Sequence, residues 1–155
     1  RSKLPTTQEL AWAAGIIDGE GYIGISKRSR HSSILKAFDA RLSVSMTDFK
    51  TTKRLRDMFD CGSFYVQNRD EKHNQKPSLT WAVAAKGTKK ILSMIYPYLY
   101  TKKQQAKYAL EFMGRVGDLK YLRGPHKSKD VPQGELQQRE FFYNLSRTLN
   151  KRGVG

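Results

Sequence analysis

Leu10-Ala11-Trp12-Ala13-Ala14-Gly15-Ile16-Ile17-Asp18-Gly19-Glu20-Gly21 is the stretch on which the reading of this chain turns. Just before it, Thr6 suits an N-cap, Glu9 follows three residues on and Pro5 precedes, so the apolar run is predicted to be a helix stopping near Asp18 and Gly19. Ala11, Gly15 and Gly19 fall at i, i+4 and i+8, with Ala14 and Asp18 alongside. One stripe of the helix therefore carries almost no side chain and can approach another backbone closely. Leu10, Trp12, Ile16 and Ile17 make the rest apolar nearly all round, more than a surface helix in a monomer of this size needs, which directs one side toward a second subunit. Asp18 and Glu20 sit at the negative end of the helix dipole, where each anion is destabilised by ~0.3–1 kcal/mol. A bound cation would reverse that penalty, and a helix stop with acids facing solvent explains the same residues without one.

Gly19, Gly21 and Gly24 spell G-x-G-x-x-G, but a helix precedes these glycines and a strand follows. That is the reverse of what pyrophosphate binding needs, and a dinucleotide site is excluded.

Downstream, 22–27 reads as a strand. After a polar turn the alternation resumes, with Phe38, Ala40, Leu42 and Val44 pointing one way and Asp39, Arg41, Ser43 and Ser45 the other. Leu55, Met58 and Phe59 suit a short helix stopped by Cys61 and Gly62. A second hairpin pairs 64–68 with 79–85 across a long polar turn. Ile91, Leu92, Ile95 and Leu99 mark a third helix beginning after Gly87, and two more helices follow at about 102–116 and 135–150, joined by a basic loop. The fold class is α+β: an αββαββα core over about 6–100 in a single domain spanning 1–155, with C-terminal helices appended. Four antiparallel strands with helices on one face leave the other, polar face free for a ligand.

The 155 residues hold 29 Lys and Arg against 14 acids, a formal charge of +15. The basic residues run through segments with hydrophobic periodicity, so the charge belongs to a folded surface and the partner is a polyanion, nucleic acid first. No stretch approaches ~20 apolar residues and no signal segment is seen, so no membrane partner is expected and the chain is read as intracellular, the compartment left open. Cys61 is the only cysteine. It allows no intrachain disulfide and no thiolate zinc cluster, and the three histidines lack metal-ligand spacing.

The segment Leu10–Gly21 closely resembles the LAGLIDADG motif, and the element order over about 6–100 resembles the whole core of the LAGLIDADG homing endonucleases. The resemblance implies that motif helices of two subunits pack together and that the last acid, here Glu20 where Asp is commoner, holds a catalytic divalent metal between them. Asp18 matches the earlier acid, which supports the helix end and interface and is placed with Glu20 as a metal residue. Lys102 matches the lysine near the scissile phosphate, with Lys103 the competing assignment. A catalytic Gln commonly ends the second strand. Met46 stands there in this chain, so water positioning would fall to Thr47, Asp48 or Lys50, with Lys50 taken as the candidate.

One motif without an internal repeat implies a homodimer on double-stranded DNA, with Ala11, Ala14, Gly15, Asp18 and Gly19 at its interface and a palindromic or near-palindromic target. By strand parity the groove readers are Ser26, Arg28, Arg30, Asp39, Arg41, Ser43, Tyr65, Gln67, Arg69, Ser78 and Thr80. Oxygen ligation favours Mg²⁺, with Mn²⁺ a substitute and Ca²⁺ supporting binding. The implied activity is metal-dependent phosphodiester hydrolysis leaving 3′ overhangs. A non-cutting binder on the same fold, such as an intron RNA maturase, is the rival; it would keep the basic sheet but could dispense with Glu20 and Lys102.

Overall fold

The computed structural model describes residues 3–29, 36–68, 76–117 and 133–151. Helix α1 (Thr7–Glu20) starts on a capping box in which the Glu9 amide donates to Thr6 Oγ1 and the Thr6 amide to Glu9 Oε1, each at 3.1 Å. It outruns the expected stop by one residue, so that Glu20 is its last residue and strand β1 (Gly21–Ser29) follows with no loop. The junction needs Gly21, because a Cβ there would lie 2.7 Å from the Ile17 carbonyl oxygen. Both backbones can come that close only without a side chain.

Strand β2 (Lys36–Met46) pairs antiparallel with β1, Gly21 opposite Val44 and Ser26 opposite Asp39. Helix α2 (Phe49–Phe59) is longer than its apolar residues suggest because Asp48 caps it, accepting from the Lys50 amide at 3.1 Å and from Thr51 Oγ1 at 2.8 Å. Strands β3 (Ser63–Gln67) and β4 (Ser78–Val83) complete a sheet of order β1-β2-β4-β3. Helix α3 (Ala85–Ile95) begins earlier than expected, since Gly87 lies inside its first turn instead of ahead of it. Its N-cap, Ala84, makes no side-chain cap bond, so nothing at the sequence level marks that start. The helix ends at Ile95 and a 3-10 turn, Tyr96–Tyr98, takes its place before the buried Leu99. Helices α4 (Lys103–Gly117) and α5 (Gln133–Leu149) follow.

The core lies on one face of the sheet. Ile23, Ile25, Leu42, Val44, Trp81 and Val83 meet Ala13, Ile17, Leu55, Phe59, Ile91 and Ile95 there, all buried. Trp81 anchors it, stacked on Phe59 at 6.1 Å with its indole N–H donated to the Cys61 carbonyl at 2.8 Å. Burying such a ring and satisfying its one polar atom is what lets a Trp sit fully inside.

Helix α5 covers the edge of β1. The Ile25 amide donates to Ser146 Oγ at 2.9 Å, and Asn150 Nδ2 donates to the Ile23 carbonyl at 3.0 Å. Two side chains one helical turn apart thus take over the hydrogen bonds that a further strand would supply, and close the edge to foreign strands. Lys27 on the same strand binds Glu140 of α5 at 2.6 Å. Ser146→Ala should therefore leave a dry, unpaired amide and cost about 1–3 kcal/mol. Urea unfolding is expected to show that loss, whereas Thr148→Ala on the exposed side of α5 should be close to neutral; equal midpoints for the two would refute the clasp.

Candidate active site at the end of the first helix

Three groups meet where α1 gives way to β1. The Asp18 carboxylate accepts the Tyr100 amide at 2.8 Å through one oxygen and the Lys102 amide at 2.9 Å through the other. Lys102 Nζ in turn donates to the Asp18 carbonyl at 2.6 Å. A lysine that is remote in sequence is thereby fixed on the last turn of α1, at the negative end of its dipole. Lys103, the competing lysine, instead opens α4 with its ammonium 5.1 Å from the Tyr96 ring, so it is Lys102 and not Lys103 that bonds to Asp18.

Glu20 is exposed. Among the described residues no cluster of three or more His, Cys, Asp or Glu forms within the chain. Glu20 does fit a hard divalent cation, being an exposed carboxylate with oxygen ligands to offer, but the described residues of one chain gather no further cluster of acids around it. Lys50 stands in the first turn of α2, exposed. Because Gly21 pairs with Val44, β2 leaves the sheet at the same end as Glu20, and α2 starts from that end. The Thr51 hydroxyl, with the amides of Lys50 and Thr51, holds the Asp48 carboxyl beside Lys50 below its ordinary range.

The small-residue stripe is open. Ala11, Gly15 and Gly19 are exposed, and a Cβ built on Gly15 or Gly19 would meet nothing within 4 Å. Ala14 departs from expectation: it is fully buried in the chain's own core, because 10, 13, 14 and 17 form the inward face of the helix. Asp18, placed with the stripe by spacing, turns to the 100–102 segment.

On the polar face of the sheet, Tyr65 and Gln67 are exposed, and Ser26, Asp39, Arg41 and Ser43 are half-buried. Arg41 Nε donates to Ser26 Oγ at 3.1 Å, which orients the guanidinium and leaves its terminal nitrogens available. Ser78 and Thr80 share this face but are buried, contrary to their expected role as reading tips. They lie on β4 between two strands and form a hydroxyl ladder with Ser45, at 3.2 and 2.9 Å, so they make the floor of the surface. Arg30 and Arg69, and the side chain of Arg28, lie outside the described residues.

Tyr22 belongs on this face and was not among the expected readers. It is 41% exposed, two residues from Glu20, with its ring laid over Gly24. Burial, and secondarily Tyr143, raises its phenol above the ordinary range. Strand parity with Ser26 was the signal that could have found it. A groove of about 660 Å³ opens beside Lys102, between Tyr100–Gln105 and Leu149–Lys151, with Lys103 and Lys151 on its walls.

A family model described as LAGLIDADG endonuclease matches residues 13–110. The chain is 29% identical over 112 residues to the DNA endonuclease I-CvuI of Chlorella vulgaris, covering 72% of this chain and 68% of that protein. The crystal structure of I-CvuI with DNA and magnesium superposes with a TM-score of 0.72 at 20% identity, over 94% of this chain and 85% of the other. The archaeal intron-encoded homing endonuclease I-Vdi141I, complexed with DNA, gives 0.73 at 11% identity over 94% and 86%. The meganuclease I-SmaMI bound to uncleaveable DNA gives 0.69 at 14% identity, over 87% of this chain but 43% of its own.

Proposed function

The chain belongs to the LAGLIDADG endonuclease family, and from that premise we propose that it is a site-specific homing endonuclease that hydrolyses both strands of a DNA duplex as a homodimer. The observation that carries this reading is the pairing of Lys102 with the acidic end of α1 beside an exposed Glu20 and a bare Ala11, Gly15 and Gly19 stripe. One chain supplies one acid and one lysine; a second copy across the stripe supplies the other pair. That this fold occupies 43% of I-SmaMI is in keeping with a unit that works in twos.

Each protomer then divides the labour. The sheet lies in a major groove, which is wide enough for β-ribbons and carries a distinguishable base-edge code. The formal charge of +15 per chain attracts the duplex. Asp18 and Lys102 are not base readers, since both are spent on the α1 end. Lys102 places a fixed positive charge toward the scissile phosphate and keeps two N–H donors beyond the one given to Asp18. Glu20 of each protomer holds the divalent cation, Mg²⁺ by preference with Mn²⁺ a substitute, and Ca²⁺ supports binding with little cutting. When bound, the cation supplies Lewis acidity and neutralises charge gathering on the phosphate. Lys50 orients water at the same end of the sheet. Twofold symmetry makes the target palindromic or nearly so, cut with 3′ overhangs.

A library of duplexes separates reading from attraction. Arg41→Ala should relax preference at particular base pairs by ~1–3 kcal/mol. Lys151→Ala, on the groove wall, should weaken all sequences alike and flatten the slope of log K against log salt by about 0.9 if it neutralises one phosphate. Uniform loss from both variants would remove the sheet from the role of reader.

A further inference from the structure

We infer that Asp18 is a positioning residue for Lys102 and takes no part in holding metal. The inference rests on the nuclease reading above but concerns a different residue. Both Asp18 carboxylate oxygens are engaged, one by the Tyr100 amide and one by the Lys102 amide, and its carbonyl takes the Lys102 ammonium. Three bonds thus run between one residue and one turn. That turn has little else to fix it, lying between the Leu99 amide bond to Tyr96 and the first helical bond of α4, Ala106 to Lys102. Bonds from backbone N–H to a carboxylate are charge-assisted and directional, so they set the height of the turn along α1. The Glu20 side chain makes no hydrogen bond to the described residues and is exposed. Residues i and i+2 of a helix do not share a face, so a geometry that turns Glu20 outward turns Asp18 away from it. The two acids of the motif therefore do separate work: Glu20 is the one left to hold the metal, and Asp18 fixes the lysine on the last turn of α1.

Asp18→Asn tests this, because the amide keeps one acceptor and presents an NH₂ to the other N–H donor. Hydrolysis at saturating Mg²⁺ is expected to fall about tenfold to a hundredfold, the loss that follows from misplacing a reacting group by an ångström. The Mg²⁺ concentration for half-maximal rate and the DNA affinity in Ca²⁺ should stay within about twofold, a change too small to report a lost ligand. In the wild-type protein on DNA, hydrogen exchange should find the Tyr100 and Lys102 amides protected both with and without Mg²⁺, and in the variant at least one should lose that protection. A raised Mg²⁺ requirement with full rescue at high Mg²⁺ would overturn the inference, as would wild-type cutting by the variant or release of both wild-type amides when Mg²⁺ is added. If Asp18→Asn does not fold, the wild-type exchange pattern still decides. If the wild-type protein cuts no duplex at all, the nuclease reading fails, while protected amides would still sustain the positioning of Lys102 and unprotected ones would refute it.

Discussion

Glu20→Gln is expected to abolish hydrolysis in Mg²⁺ while leaving the protein dimeric and able to bind its target in Ca²⁺ with near-normal affinity. The amide matches the carboxylate in size, so α1, the Gly21 junction and the stripe should be undisturbed. What changes is charge. In the proposed dimer two Glu20 carboxylates brought together at the axis would repel each other until a cation lay with them, and that repulsion would make the pair a divalent-ion site. Each also sits at a helix C-terminus, where the dipole adds to the penalty. Gln removes the anion and the repulsion together, so binding of DNA survives and the hydrolytic cation is lost. Gel cleavage against fluorescence binding separates the two. A variant still cutting within about tenfold of wild type, a barrier change of only ~1.4 kcal/mol, would show that Glu20 does not hold the metal.

The second large effect is expected from Gly15→Leu. Among the described residues the first atom of the new side chain meets no obstacle, since a Cβ at Gly15 has no neighbour within 4 Å. Replacing a mid-helix glycine by leucine should favour the helix by up to ~1 kcal/mol, so the isolated chain should fold at least as well as wild type. Any failure must then arise between chains. Across a stripe of Ala11, Gly15 and Gly19 two helices can approach closely, and a leucine would hold them apart at a cost of ~1–3 kcal/mol per protomer. The predicted variant is a stable monomer, by melting and sedimentation, that has lost cutting. A Gly15→Leu protein that still dimerises and cuts would place the interface elsewhere.

The strands and the layering were legible because alternation is a local property: Phe38 to Val44 against Asp39 to Ser45 reads the same in the chain and in the sheet. The stripe was legible for the same reason, through a period of four. Features set by tertiary neighbours were not. Ala14 looks like Ala11 in sequence, and only the packing of 13 and 17 reveals that it points inward. Ser78 and Thr80 have the right parity to read DNA, but flanking strands on both sides bury short side chains that an edge position would expose. Ser146 and Asn150 carry no apolar signal, yet they close the sheet edge. That Lys102 and not Lys103 bonds to Asp18, more than eighty residues earlier, is a tertiary contact which no local pattern encodes.

The claim that two chains make one active site is tested most directly by the mass of the wild-type complex on its target duplex in Ca²⁺, measured by sedimentation at micromolar protein. Two copies of the chain per duplex are predicted, with the same preparation cutting both strands when Mg²⁺ replaces Ca²⁺. A single copy per duplex that still cuts both strands would contradict the account.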